Sequence, residues 1–377
     1  MNVLQRVIGI GSYVFVIILM ILIIKHHSKK DASTPLKVVL LILCGIAFLY
    51  NPMPQSDLFR IKQYAMNFAA MSWIECIGNV ITRTGGLTST PAAIAFYKIF
   101  GDIGILGLIP AASCLICYGI LFTVMIGFQK RYDLSNACVA TALFLFMCAD
   151  YFMPTISTIR SYISSALVAY CFYREKVLDK HGLLNIFLYL IAATMHVIGV
   201  GLVAIRLLEV VVTNIRLNIR VLFAMVVGAM GLLVFAFIFQ SMLRNYLATF
   251  VSYVDGSSSD TSYSYVWEQV ILALVLLLQI CVLIRARRAN IKSDYVLRSY
   301  YNMSLICVLG VIALSFQFSF FMRLSYFASF IEMPLLMVVN KEAPQQSLSY
   351  SLNEFVLGAV IILAVTCTRG YLCSLMF

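Results

Sequence analysis

The sequence predicts an all-α, polytopic membrane protein, and three observations support this fold class. The chain of 377 residues is 62% hydrophobic and only 11% charged, with a mean hydropathy of +0.96, which is unlike a soluble domain. Apolar runs of about 17–25 residues recur, the length that a helix needs to cross about 30 Å of hydrocarbon. These runs lack the two-residue alternation of barrel strands, so helices must satisfy the backbone hydrogen bonds. The whole chain, residues 1–377, is therefore predicted to be one multi-pass membrane domain.

About 11–12 transmembrane helices are predicted. One apolar window, 183–213, would form a helix of about 46 Å, which is too long for a single span. We therefore predict two short helices that meet near His196, a division that also puts most Lys and Arg residues in cytoplasmic loops. The predicted spans lie at 7–24, 36–50, 104–128, 136–153, 158–174, 183–213, 220–243, 266–284, 300–320, 324–339 and 353–374.

The charge balance and the cysteines exclude several classes of function. Lys and Arg outnumber Asp and Glu by 27 to 16, but cytoplasmic loops rich in Lys and Arg account for this excess, so no nucleic-acid partner is predicted. The eleven cysteines lie mostly in apolar windows without metal-ligand spacing, and we interpret them as small hydrophobic residues. No glycine-rich phosphate loop, zinc-protease motif or nucleophile elbow is present. Neither a metal nor a cofactor is expected.

Two extracytoplasmic loops are predicted, at 51–103 and 244–266. The first begins with an amphipathic helix, which Ser56 caps. At 100° per residue, Asp57, Arg60, Tyr64 and Asn67 fall on one side of this helix, and apolar residues fall on the other. The polar side is either the water-facing side of an interfacial helix or one wall of an active cavity.

Arg160 lies near the start of the predicted span 158–174. The nine residues 157–165 around it include six with a hydroxyl group, among them Ser164. Because lipid offers no partners to hydroxyl groups, this composition indicates a polar cavity. An arginine presents a planar fork of donors that can hold a phosphate group. The alternative is an arginine that only reaches the lipid head groups.

Three further polar residues lie in apolar surroundings. His196 is either a satisfied core histidine or a general base or hydrogen-bond donor at a helix break. Arg323 is either an anchor within an aromatic belt or a second cation of the same site. Glu332, inside the last but one predicted span, is a candidate internal partner for a cation.

In their order along the chain, these residues resemble the EpsG/Wzy family of bacterial surface polysaccharide polymerases. The resemblance covers most of the chain in topology and a few short motifs in sequence. The motifs are Asp57-Leu58-Phe59-Arg60 with Tyr64, Arg160 followed by Ser164, Ser165 and Ala166, the segment around His196, and Arg323-Leu324-Ser325-Tyr326.

The resemblance implies an enzyme that joins oligosaccharide units carried on polyprenyl diphosphate, at the outer face of the bacterial cytoplasmic membrane, with lipid diphosphate as the leaving group. Asp57 or His196 would then be the base. The family also implies membrane lipid, a flippase and a chain-length regulator as partners. The residues expected to bind the substrate and its diphosphate are Arg60, Tyr64, Arg160, Ser164, Arg323 and Tyr326.

Two other functions fit the same sequence features. A lipid-carrier-dependent glycosyltransferase that adds a single sugar would also place an acid in its first outer loop. A polysaccharide flippase or another transporter would require charged residues through the depth of the membrane, and few are present here. An O-antigen ligase would have a larger late outer loop than 244–266.

Overall fold

The described residues form helices, and none of them lies in a strand. The computed structural model describes residues 15–27, 31–52, 56–76, 90–148, 152–213, 266–289, 291–313 and 318–342. The predicted spans at 220–243 and 353–374 and the predicted loop at 244–266 lie outside these residues. The helices are α1 (Phe15–Lys25), α2 (Ser33–Leu49), α3 (Asp57–Ala69), α4 (Pro91–Ile103), α5 (Leu108–Tyr132), α6 (Asn136–Cys148), α7 (Phe152–Ser157), α8 (Ile159–Lys176), α9 (Leu183–Met195), α10 (Val197–Thr213), α11 (Val266–Arg288), α12 (Tyr295–Ala313) and α13 (Phe318–Glu342).

Three described helices are long and apolar enough to cross a membrane: Leu108–Tyr132, Tyr295–Ala313 and Met322–Lys341. Shorter apolar helices occur at Phe15–Lys25, Ser33–Leu49, Asn136–Met147 and Leu183–Met195. The all-helical class is thus confirmed for the described residues. Helix α13 lies at the centre, because it packs against α5, α6, α8, α11 and α12 and 89% of its apolar window is buried.

The long window 183–213 is broken at His196, as the sequence predicts. His196 has an extended backbone (φ −159°, ψ 149°), and the chain reverses there. Helix α9 runs antiparallel to α8, since Ser164 Oγ donates to the Ala192 carbonyl at 2.8 Å. Gly199 of α10 lies directly against the backbone of Ala192, an approach that no side chain at this position would allow. Helices α9 and α10 therefore form a hairpin with His196 at its tip.

The amphipathic helix predicted in the first outer loop is α3. Ser56 caps it, with its Oγ accepting a hydrogen bond from the Phe59 amide at 3.3 Å. Its buried residues are Leu58, Ile61, Ala65 and Phe68, and its apolar side packs against α4, where Gly101 allows the Ala65 carbonyl to approach closely. The predicted division of this helix into two faces is confirmed.

The chain segments that are rich in Lys and Arg lie at one end of the bundle, which we call the Lys176 end. Tyr132 Oη donates to Asp294 at 3.1 Å, Lys341 Nζ donates to the Tyr132 carbonyl at 2.6 Å, and Arg131 donates to the Val177 carbonyl at 3.3 Å. These contacts join the ends of α5, α8 and α13 to the start of α12. The basic residues in the segments that meet here are Lys25, Lys37, Lys130, Arg131, Arg174, Lys176, Lys180, Arg285, Arg287, Arg288, Arg298 and Lys341.

Candidate functional site

Two arginines and one histidine that are far apart in sequence meet at the other end of the bundle, which we call the Arg160 end. Arg160 lies in the first turn of α8, and Arg323 lies in the second turn of α13. Both guanidinium groups are close enough for their charges to act on the imidazole of His196. Arg160 and Lys176 are sixteen residues apart on α8, so the two ends are separated by about 24 Å. We call Arg160, His196 and Arg323 the Arg160 cluster.

The side chain of His196 caps helix α10. It is 5% exposed, and its Nδ1 accepts a hydrogen bond from the Ile198 amide at 3.1 Å. A neutral imidazole that accepts at Nδ1 carries its proton on Nε2. His196 in this form can therefore donate a hydrogen bond from Nε2, but it has no nitrogen available to take up a proton.

Tyr97 joins this cluster, although the sequence analysis did not select it. It is fully buried in α4, and its hydroxyl has no hydrogen-bond partner among the described residues. The charges of Arg160 and Asp57 and the hydroxyl of Tyr64 act on it electrostatically. Tyr97 thus links α3 to the Arg160 cluster. Neither charge nor spacing marks this tyrosine in an aromatic, apolar helix, so nothing in the sequence distinguishes it from a core residue.

The polar side of α3 lies beside the cluster. Asp57 and Arg60 form an ion pair one turn apart, and both are about half exposed. Tyr64 and Asn67 are also exposed on this side. Lys62 Nζ reaches the Tyr50 carbonyl at 3.4 Å, and partial burial lowers the pKa of this lysine.

Four of the six hydroxyl groups around Arg160 donate to backbone carbonyls. Ser164 is fully buried and holds α9 through the Ala192 carbonyl. Ser157, Ser161 and Ser165 donate to carbonyl oxygens three or four residues earlier. A helix can satisfy serine hydroxyls in this way without any external polar group, so their number does not require a cavity. Ser164 positions the hairpin that carries His196.

Tyr326 is buried beneath the cluster. It is 1% exposed, and its ring lies 3.9 Å from the ring of Tyr162, centroid to centroid, with the planes inclined by 44°. This contact packs the start of α13 against the start of α8. It therefore supports the two helix ends that carry Arg323 and Arg160.

The Arg160 cluster can bind an anion that has several oxygen atoms. Arg160 forms no ion pair within the described part of the chain, and the residue is partly exposed. Two guanidinium groups and an Nε2–H donor match the oxygens of a diphosphate. The described residues contain no group of three His, Cys, Asp or Glu side chains placed to hold a metal ion.

A cavity of about 400 Å³ opens at the Lys176 end, away from the cluster. Its lining carries both signs of charge, including Arg131, Lys176, Glu175 and Asp294. The acids already have partners: Arg206 binds Glu175 at 2.7 Å, and the Val296 amide and Tyr132 bind Asp294. This cavity is thus a separate feature of the bundle.

Comparisons of this chain with protein-family models, with curated proteins and with solved structures found no match.

Proposed function

We propose that this protein is a polysaccharide polymerase that joins polyprenyl-diphosphate-linked oligosaccharide units at the outer face of a bacterial cytoplasmic membrane. One observation carries the proposal: Arg160, His196 and Arg323 meet at the end of the bundle opposite to the basic segments. The resemblance of the motifs around these residues to the EpsG/Wzy family supplies the reaction.

The orientation follows from the distribution of charge. Lys and Arg residues close to the membrane are concentrated in cytoplasmic loops, and here they gather at the Lys176 end. The Arg160 end therefore faces away from the cytoplasm in this proposal. A flippase would deliver the lipid-linked unit to that face, and a chain-length regulator would act there on the product.

The proposed reaction is a glycosyl transfer, and each side chain of the Arg160 cluster has one role in it. A hydroxyl oxygen of the acceptor unit bonds to the anomeric carbon of the growing chain, and the bond from that carbon to the diphosphate oxygen breaks. Arg160 and Arg323 stabilise the negative charge on the departing lipid diphosphate. His196 donates to it from Nε2, since its Nδ1 is already occupied by the Ile198 amide.

The base in this scheme is Asp57. A general base needs a free lone pair within reach of the acceptor hydroxyl, and His196 offers none. Asp57 is about half exposed, and its carboxyl group lies beside the Arg60 guanidinium on the polar side of α3. The acceptor proton passes to this carboxylate.

Deletion of the gene tests the proposed function directly. Surface polysaccharide from the deletion strain should lose its ladder of chain lengths but should retain one repeat unit, because only the joining step is missing. Gel electrophoresis of the extracted polysaccharide gives this result. Loss of every band, including the single unit, would contradict the proposal and would indicate export or an earlier transferase.

Replacing Tyr97 with phenylalanine should reduce polymer length while making the protein more stable. The hydroxyl is buried without a partner among the described residues, so its removal should raise the free energy of unfolding by about 1 kcal/mol. The substitution also removes the polar atom on which the charges of Asp57 and Arg160 both act, so α3 and the Arg160 cluster should be held less well in position. Thermal unfolding and the polymer ladder measure the two effects.

Tyr300→Phe is the matched control for Tyr97→Phe. Tyr300 is also fully buried with a hydroxyl that has no partner among the residues described, but its ring packs on Phe128 and Phe172, near the Lys176 end. This variant should gain stability and keep the wild-type ladder. Equal ladders in all three proteins would rule out a role for Tyr97 in positioning the Arg160 cluster.

A lipid-carrier-dependent transferase that adds a single sugar is the second candidate, because the same pair of arginines would stabilise the same leaving group. The product separates the two functions. Incubation of the purified protein with lipid-linked units should yield products that grow by whole repeat units, whereas a single-sugar transferase would extend each acceptor once.

A further inference from the structure

Glu332 lies at the middle of the central helix α13. Within the apolar window Met322–Lys341, it is ten residues from one end and nine from the other. At 1.5 Å per residue, it is about 15 Å along the helix from either end. If α13 crosses the membrane, this carboxyl is near the centre of the hydrocarbon layer.

No charged group of the described residues interacts with this carboxyl. Glu332 is 2% exposed, and its Oε1 has no hydrogen-bond partner in the described part of the chain. Helix α13 packs against α5, α6, α8, α11 and α12, and no Lys, Arg or His of the described residues in these helices interacts with Glu332. Within the described ranges, the titratable group that interacts with it is the thiol of Cys307 in α12. The sequence-based expectation of a cationic partner is therefore not met among these residues.

The described polar groups near Glu332 are neutral. Ser304 lies one turn before Cys307 on the same side of α12, and its buried hydroxyl also has no partner among the described residues. Gly310 of α12 lies beside Leu324 of α13. Because the two helices are antiparallel, this contact places Ser304 at the same height as the helical turn that precedes Glu332. A serine hydroxyl can accept a hydrogen bond from a carboxylic acid, but it cannot neutralise a carboxylate.

The other fully buried glutamate has the opposite environment. Glu209 forms ion pairs with Arg206 and, at 3.5 Å, with Lys176, and Thr213 Oγ1 donates to it at 2.7 Å. These contacts give Glu209 two cationic partners and one hydroxyl donor in the interior. Glu332 lacks every such contact within the described residues, and an isolated buried charge is far less favourable than a neutral acid.

We propose that Glu332 is a proton-binding site in the middle of the bundle, where its carboxyl holds a proton at neutral pH. Loss of this proton would leave an uncompensated charge between α12 and α13 and would favour their separation. Two residues further on, Pro334 interrupts the hydrogen bonding of α13 and is a point at which the helix can bend. This inference does not depend on the proposed polymerase activity.

Infrared difference spectroscopy on the full-length protein at neutral pH tests the proposal. The spectrum of the wild type minus that of Glu332→Gln should contain the carbonyl band of a protonated carboxylic acid. The control is Asp179→Asn, because Asp179 is fully exposed beside His181, and its difference spectrum should contain carboxylate bands instead. Carboxylate bands for Glu332 would overturn the proposal.

Thermal unfolding of the Glu332→Gln variant is an independent test of whether the Glu332 carboxyl is neutral. Glutamine reproduces the shape and the donor of a neutral carboxylic acid, so the unfolding midpoint should stay close to that of the wild type. If Glu332 instead balanced a cation, the substitution would leave that cation buried and unpaired. A large drop in the midpoint, or failure to fold, would therefore also overturn the proposal.

Discussion

Replacing Arg160 with alanine is expected to abolish the polysaccharide ladder while single repeat units still reach the surface. In the proposed reaction, Arg160 stabilises the charge that develops on the departing diphosphate, and the loss of one such donor costs about 10²–10³-fold in rate. Gel electrophoresis of surface polysaccharide from a strain that expresses the variant measures this loss.

Two further substitutions make the Arg160 result specific. Arg160→Lys keeps the charge but loses the planar pair of donors, so it should give short chains at a reduced rate. Arg298→Ala removes an exposed arginine from the Lys176 end and should leave the ladder unchanged. Chains of wild-type length from Arg160→Ala protein would refute the assignment of Arg160 to the leaving group.

Replacing Glu209 with alanine is expected to cause the largest loss of stability. Glu209 is fully buried between Arg206 and Lys176, and Lys176 is itself 5% exposed. Removing one member of a buried ionic network leaves a charge without compensation, at a cost of about 3–5 kcal/mol. The midpoint of thermal unfolding in detergent should fall accordingly.

The same network offers a control for the Glu209 prediction. Replacing Lys176 together with Glu209 by methionine removes one charge of each sign and leaves Arg206 bound to Glu175 at 2.7 Å. Apolar residues of similar volume often restore the stability lost when a buried pair is broken. The double variant should therefore unfold at a higher temperature than Glu209→Ala, and the reverse order would argue against the network as the source of the loss.

The sequence predicted the local structure of two important segments. The amphipathic pattern of α3 is a property of thirteen consecutive residues, and the structure buries the predicted apolar side of this helix. The break at His196 followed from the excessive length of one apolar window, and the structure has a hairpin tip there. Both predictions depend on hydrophobic periodicity and helix length, which can be read without knowing any neighbouring element.

The sequence was a poorer guide to the roles of individual polar side chains. It suggested a polar cavity from the hydroxyl groups around Arg160, but backbone carbonyls satisfy four of these serines. It left the choice of base between Asp57 and His196 open, and in the proposed reaction the base is Asp57 because the Ile198 amide occupies His196 Nδ1. Such roles depend on which atom lies within hydrogen-bond distance, and composition does not contain this information.

Hydropathy and periodicity are local properties, and they were enough to predict the helical class of the chain, the position of its amphipathic helix and the place where the long window breaks. The folded bundle was needed to show that Arg160, His196 and Arg323 lie near one another at one end, that Tyr97 joins them, and that Glu332 is isolated from the described charges. These relations depend on the packing of helices that are distant in sequence. Apolar helix surfaces carry no charge pattern that identifies their neighbours in advance, so these contacts become visible only in the folded bundle.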